Sequence, residues 1–261
     1  MLRPRLTPVL LLQDNRLIKT MKFKNSRYLG DPLNTIKIFN EKKADEIVVL
    51  DISASTNNLE PDYKRVEFFA NECRMPVTYG GGIKTLDHIE KIISLGVEKV
   101  CISSGYFQNI NLIKEASQLI GSQSISLVID FKKEFLTGKY SQYIFNGKQK
   151  VKQAIPDTII QAQDQGVGEI IFNSIDFDGT RKGFDLDFLY SISKYINVPF
   201  TIVGGAGEDK HFIEASKQCS SIRGNNFALG AGSFFVFKGN LQAVLVTYPN
   251  YDHKLSLLGI S

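Results

Sequence analysis

Two glycine clusters carry the first chemical signal in this chain. Tyr79-Gly80-Gly81-Gly82-Ile83 and Gly204-Gly205-Ala206-Gly207 each follow a short apolar run, where glycine leaves main-chain N–H groups free to approach an anion closely. Beyond the next apolar run in each case stand Ser103-Ser104 and Gly232-Ser233, whose hydroxyls and amides complete a phosphate cradle. Tight turns between strand and helix need glycine in any case, so repetition at one spacing is what counts. Gly80 and Gly204 lie 124 residues apart (204 − 80), and Asp51 in VLDIS and Asp176 in NSIDF lie 125 apart (176 − 51). Two such cradles suit a substrate phosphorylated at both ends.

A second set of residues stands at the starts of apolar runs: Arg5, Glu46, Lys99 and Glu169. Strand alternation puts Arg5 on the face of Leu11, Glu46 with Val48, Lys99 with Cys101 and Glu169 with Ile171. If those faces converge, the four form a ring of alternating sign that satisfies its own charges and plugs one end. A purely structural salt-bridge cap would have the same pattern.

The elements that must position these groups follow from the periodicity. Eight β-branched or apolar runs, Thr7–Leu12, Glu46–Leu50, Pro76–Tyr79, Lys99–Ser103, Ser124–Ile129, Glu169–Asn173, Phe200–Val203 and Asn226–Leu229, alternate with helical segments. Asp31-Pro32 caps and opens one helix, Thr85 caps another that ends near Gly96, and Ile110–Ile120 stops at Gly121. Unbroken alternation over 261 residues predicts a parallel sheet closed into a single (βα)8 TIM barrel, one domain spanning 1–261. The 124–125 residue repeat divides it into half-barrels of about 1–121 and 122–261.

Composition narrows the partners. A hydrophobic share of 43% and a charged share of 22% fit a globular chain with a large core. The net charge of +4 is mild and the lysines are dispersed, which points to small anionic ligands rather than nucleic acid. Cys73, Cys101 and Cys219 form no CxxC or Cys/His cluster, so no metal and no cofactor is expected, and they read as reduced thiols of a cytoplasmic protein. The start, MLRPRLTPVLLLQDNR, is too short an apolar run for a membrane span and lacks a cleavage signature.

Long segments then resemble one family in order: QDNRLIKT, GDPLNTIKIFNE, DEIVVLDISAS, YGGGIKTLDHIEKIISLGVEKV, GSQSISLVIDFK, GVGEIIFNSIDFDGTRKGFD, VGGAG and LGAGSFFVF. The chain is similar, over nearly its whole length, to the cyclase (HisF-type) subunit of imidazole glycerol phosphate synthase. The resemblance implies one phosphate site at Gly82, Ser103 and Ser104 and another at Asp178, Gly179, Gly205, Gly232 and Ser233, with Asp51 also on the substrate side. It places Lys19 on a mobile first βα loop, Lys19–Gly30, that closes over substrate. It makes Arg5, Glu46, Lys99 and Glu169 the gate of an ammonia tunnel, with a HisH-like glutaminase docked beneath.

The catalytic pair departs from the family. Ring formation there relies on two aspartates as general acid and base, one at the end of strand one and one at the end of strand five. The second is Asp130 in VIDF; the first falls on Leu11, and Gln13, Asp14, Arg16 and Lys19 anchor that alignment without gaps. Leucine transfers no proton. A kept gate and a lost aspartate resemble the paralogous glycosyl amidation-associated (WbuZ-like) branch, found with surface-polysaccharide (lipopolysaccharide) biosynthesis. That branch implies ammonia passed to a sugar amidotransferase. Two alternatives stand beside it: an authentic cyclase of histidine biosynthesis, acting on its bis-phosphorylated ribulosyl aminoimidazole carboxamide substrate with Asp130 and a recruited group such as Asp14 through water, and a non-catalytic scaffold that binds a phosphorylated small molecule.

Overall fold

A computed structural model describes residues 4–222, 226–239 and 241–260; Met1–Arg3 of the amino-terminal run lie outside them. Eight parallel strands follow one another around a closed sheet: β1 Arg5–Gln13, β2 Ile47–Asp51, β3 Val77–Gly80, β4 Lys99–Ile102, β5 Ile125–Lys133, β6 Glu169–Ser174, β7 Phe200–Val203 and β8 Phe227–Ala231. Closure is by β1 with β8, where Arg5 pairs with Ala228 and Pro8 with Ala231. β5 pairs with β6, Asp130 opposite Asn173. The main helices packed outside are α1 Pro32–Glu41, α2 Tyr63–Glu72, α3 Leu86–Ser94, α4 Leu112–Ile120, α5 Ile155–Asp164, α6 Leu186–Ile192, α7 Asp209–Cys219 and α8 Tyr251–Leu257. This is the expected (βα)8 TIM barrel.

Local chemistry explains the helix starts. The Asp31 carboxylate accepts from Leu33 N–H at 2.8 Å with Pro32 at the first position, and Thr85 caps α3 through His88 N–H. α4 begins at Leu112, two residues after the expected Ile110, behind Asn111, and ends at Gly121 with φ +84°. Alternation sorts the strand residues into two cores. Leu6, Leu10, Leu12, Ile47, Val49, Ile125, Leu127, Ile129, Ile170 and Phe172 face the helices, whereas Val9, Val48, Cys101, Val128 and Ile171, with Leu50 and Val203 against them, fill the bore.

Two insertions were not read from the pattern. The stretch expected as a mobile loop is a β-hairpin, Arg16–Met21 with Lys24–Gly30, paired back onto β1 through Leu11 and Ile18. Its two-residue turn, Lys22-Phe23, has φ +53° and +60°, a left-handed pair that costs side-chain-bearing residues about 1 kcal/mol or more each. The second hairpin extends β5 beyond the barrel, turns within 134–139 and returns as Tyr140–Ile144, which a tighter turn at Phe145-Asn146-Gly147 joins to Gln149–Lys150. Both hairpins rise from the carboxyl end of the barrel. No helix among the described residues is long and apolar enough to cross a membrane.

Candidate functional site: a charged foot, an apolar bore and a two-part mouth

At the foot, the four strand-start charges meet on the axis. Arg5 donates to Glu46 Oε2 at 2.9 Å and to Glu169 Oε1 at 3.0 Å, and Lys99 Nζ donates to Glu169 Oε2 at 2.6 Å. The layer above adds hydroxyls: Thr7 donates to Glu46 and Thr201 to Glu169, each at 2.6 Å. Burial raises the Glu46 pKa, and the cations beside it only partly offset that. Burial pushes Glu169 the same way, but Lys99 and Arg5 together with their hydrogen bonds outweigh it and leave its carboxyl below the ordinary value. Glu169 is therefore the charge that holds the ring together.

Above the ring the bore is lined by Val9, Val48, Cys101, Val128 and Ile171. Burial drives the Cys101 thiol well above its ordinary pKa, so it stays protonated and inert. All three cysteines are free.

At the mouth, Asp130 ends the inward face of β5 and is 9% exposed. Asn173 Nδ2 donates to its Oδ1 at 2.8 Å. Burial raises its pKa to about 7, against the opposing Asn173 bond and with a contribution from the Asp178 charge. A carboxyl poised there exchanges protons readily at neutral pH. Leu11, on the inward face of β1, lines the same cavity and offers no second proton carrier. Asp14 is not in that lining: its backbone N–H donates to Ser53 Oγ at 2.8 Å and its carboxylate accepts from that hydroxyl at 3.3 Å, at an exposed turn.

The expected phosphate residues separate into two cavities. One of about 820 Å³ holds Asp51, Gly82, Ser103, Ser104 and Asp130; the other, of about 430 Å³, holds Lys19, Asp178, Gly179, Gly205, Gly232 and Ser233. Gly82 has φ +69°, and a Cβ there would come 2.7 Å from the Leu59 carbonyl, so the loop accepts no side chain. Asp51, at the end of β2, lines the first cavity but turns its carboxylate onto Ser53 N–H at 2.9 Å and Ala54 N–H at 3.1 Å, capping the short helix Ile52–Thr56. Ser104 Oγ accepts from Phe145 N–H at 3.0 Å, tying the second hairpin to the first cradle.

Asp178 does different work from that of a phosphate ligand. Its carboxylate pairs with the Lys19 ammonium and accepts from Thr20 Oγ1 at 2.6 Å and Phe23 N–H at 3.1 Å, while its carbonyl accepts from Lys22 N–H at 2.9 Å. Gly179 lets the hairpin settle that low, since a Cβ on it would stand 2.3 Å from the Thr20 carbonyl. Asp178 is thus the seat of the first hairpin, and its negative charge would repel a phosphate. Any anion in the second cavity must find main-chain N–H groups, Ser233 or Lys19.

Sequence reasoning passed over Lys84, Phe23 and Asn173, which all line the mouth. Lys84 was legible, directly after Gly82-Ile83; Phe23 and Asn173 are set by hairpin geometry and strand pairing. Asp176, matched to Asp51 by spacing, instead holds the far end of β5, beside the turn of the second hairpin, by accepting from Lys133 N–H at 2.9 Å. Among the described residues no group of three or more His, Cys, Asp or Glu is placed to hold a metal ion.

Comparison with known proteins accords with this architecture. The histidine biosynthesis protein family matches residues 5–232. A Leptospira borgpetersenii protein provisionally named imidazole glycerol phosphate synthase subunit HisF is 47% identical, covering 98% of this chain and 99% of its own. A Pseudomonas aeruginosa protein provisionally named imidazole glycerol phosphate synthase subunit hisF2 is 45% identical over 97% of this chain and 98% of its own. The Staphylococcus saprophyticus imidazole glycerol phosphate synthase subunit HisF is 33% identical over 86% and 89%. With the barrel, the two-part mouth and these relatives in hand, the chain belongs to the HisF-type, imidazole glycerol phosphate synthase cyclase-subunit family of histidine biosynthesis proteins.

Proposed function

We propose that this chain is the synthase-like partner of a HisH-like glutaminase in the cytoplasm. It receives ammonia at the foot of its barrel and delivers it at the mouth, for amidation of a surface-polysaccharide sugar by a third enzyme, a sugar amidotransferase. The observation that carries the reading is the contrast between the two ends of β1. Arg5 sits in a chain of ion pairs that joins all four foot charges, whereas Leu11 stands where a cyclase needs an acid. A ring of four charged groups is costly to bury, and conducting a small polar molecule gives it a use beyond closing the barrel.

The bore suits neutral ammonia. Its apolar walls carry no group that would protonate the molecule, because the one titratable side chain in that layer, Cys101, is held as a thiol by burial. At the mouth Asp130 alone remains. A lone carboxyl poised near neutrality can exchange a proton at the outlet, while the C–N bond is formed on the third enzyme. Cyclisation with release of a leaving fragment needs a donor as well as an acceptor, and Leu11 supplies neither. The names of the relatives, subunits of a synthase, support an assembly with a second chain.

The test is a paired assay of the purified chain with its glutaminase. Glutamine hydrolysis should rise on adding this chain, and the gene should fail to rescue a histidine auxotroph lacking its cyclase. Rescue at a level comparable to an authentic cyclase would overturn the proposal in favour of histidine biosynthesis. A scaffold without ammonia transfer would leave glutamine-dependent product unchanged when the foot is blocked.

A further inference from the structure

The second hairpin ends in an apolar pair that the fold leaves uncovered. Among the described residues only three large apolar side chains are more than 90% exposed, and two of them, Phe135 at 99% and Leu136 at 93%, are neighbours at this one turn. Turns ordinarily take polar residues and glycine. The tip is held in place by its own backbone: Glu134 N–H donates to Lys139 O and Gly138 N–H to Glu134 O, each at 2.8 Å. The Glu134 carboxylate accepts from Tyr143 Oη at 2.5 Å and from Lys150 Nζ at 3.0 Å, which braces the turn against the strands behind it. A phenyl ring and an isobutyl group are thus presented to solvent on a built strut and contribute nothing to the core.

Positive charge is gathered at the same projection. Residues 132–152 hold six lysines, Lys132, Lys133, Lys139, Lys148, Lys150 and Lys152, against one acid, Glu134, a balance of +5 (6 − 1). The chain as a whole carries +4, so everything outside this segment sums to −1 (4 − 5). Pairing sets Lys133 opposite Tyr140 and Lys132 opposite Ser141, and Lys150 reaches Glu134. Lys132, Lys133, Lys139 and Lys150 therefore stand within about 10 Å of the tip, close to one Debye length at physiological salt. Among the described residues Lys150 is the only one of the four with a carboxylate partner.

Composition decides what such a tip meets. Protein interfaces are broad, about 800 Å² on each side, and depleted in lysine. A lipid surface has the opposite preference. A narrow apolar tip enters the headgroup layer, and the long stems of flanking lysines keep their ammonium groups among anionic headgroups. We infer that the second hairpin is a membrane-surface anchor: Phe135 and Leu136 insert into the interface of an anionic bilayer, and Lys132, Lys133, Lys139 and Lys150 face its negative charge. The barrel then lies on the membrane without crossing it, its carboxyl end toward the lipid. This goes beyond the reading of the bore and holds whether or not ammonia passes through it.

Sedimentation of the full chain with vesicles tests it, phosphatidylglycerol mixed with phosphatidylethanolamine against phosphatidylcholine alone. The chain should pellet with the first and stay in solution with the second, and raising salt to about 1 M should weaken binding at least about tenfold. Phe135→Ser/Leu136→Ser should weaken it at least about tenfold and Lys133→Glu/Lys139→Glu at least about a hundredfold. Melting temperatures should not change, because all four side chains are exposed. The chain contains no tryptophan, so Phe135→Trp reports on the tip alone: its emission should move to the blue with anionic vesicles and be quenched by brominated lipid. The inference is overturned by a chain that stays in solution with anionic vesicles, by equal binding to both lipids, by indifference to either pair of substitutions, or by an unshifted Phe135→Trp emission. No vesicle binding, together with loss of a protein partner in Phe135→Ser/Leu136→Ser, would give the tip to a protein instead.

Discussion

Replacing Glu169 by Gln is the sharpest probe of the foot of the barrel, because three donors converge on that one carboxylate. Arg5 at 3.0 Å and Thr201 at 2.6 Å use Oε1, and Lys99 at 2.6 Å uses Oε2. In Glu169→Gln the carbonyl can keep Arg5 and Thr201, but the amide NH₂ then faces the Lys99 ammonium, donor against donor. Removing one partner of a buried ion pair costs about 3–5 kcal/mol. The Lys99 and Arg5 side chains are 22% and 24% exposed, so hydration recovers part of the loss and the low end, about 3 kcal/mol, applies. At about 2–4 °C per kcal/mol for a chain of this size, the melting temperature should fall by about 6–12 °C at pH 7, measured by calorimetry. The folded Glu169 carboxyl lies below its unfolded value, so its stabilisation is present above the unfolded carboxylate pKa and is lost as pH falls through the folded one. The gap between variant and parent should therefore close in acid. Glu46 works in the opposite sense: its raised pKa contributes stability fully present below the unfolded value and lost as pH rises through the folded one. A melting temperature for Glu169→Gln within about 2 °C of the parent at neutral pH would refute the account of a self-satisfying ring.

Three further outcomes follow from the bore and mouth. Asp130, raised to about 7 from an ordinary 3.8, contributes stability that is full below the unfolded pKa and lost as pH rises toward 7; the span corresponds to about 4 kcal/mol, and urea titrations of Asp130→Asn should lack that slope. Leu11→Asp restores the missing carboxylate and should bring cyclisation of the histidine-pathway substrate up by about 10²–10⁴-fold from its background, followed by product absorbance; no gain would count against Leu11 as the missing group. Glu46→Trp should abolish glutamine-dependent product while product from added ammonium salt persists, and equal loss of both would show a damaged barrel rather than a blocked bore.

Periodicity alone located all eight barrel strands, because a parallel barrel buries both faces of each strand and so writes apolar runs into the sequence. The parity argument placed Arg5, Glu46, Lys99 and Glu169 on the axis correctly, as a period of two leaves no other option once Leu11 or Val48 points inward. The hairpins were illegible for the opposite reason. Lys24–Gly30 is almost wholly exposed and has no apolar alternation to betray it, and the Lys22-Phe23 turn lacks the Asn-Gly or Asp-Gly pair that normally marks such a turn. Its conformation is imposed from outside, by Asp178. The meeting of Leu11, Leu50 and Phe23 at the mouth was hidden likewise, because it needs β1 beside β2 and the first hairpin above them.

Arg5 and Leu11 lie on a single strand six residues apart, about 20 Å along its axis. On the inward face between them stand Thr7, bonded to Glu46, and Val9, and the nearby Cys101 thiol is kept protonated by burial, so a change at either residue meets no group that would change charge and report it to the other. A duplicated gene could therefore exchange the acid at position 11 for leucine in a few base changes and lose one reaction outright while every contact a supplier chain might read stayed as before. In such a barrel the outlet is free to drift toward new customers, and the intake is the part that natural selection must hold still.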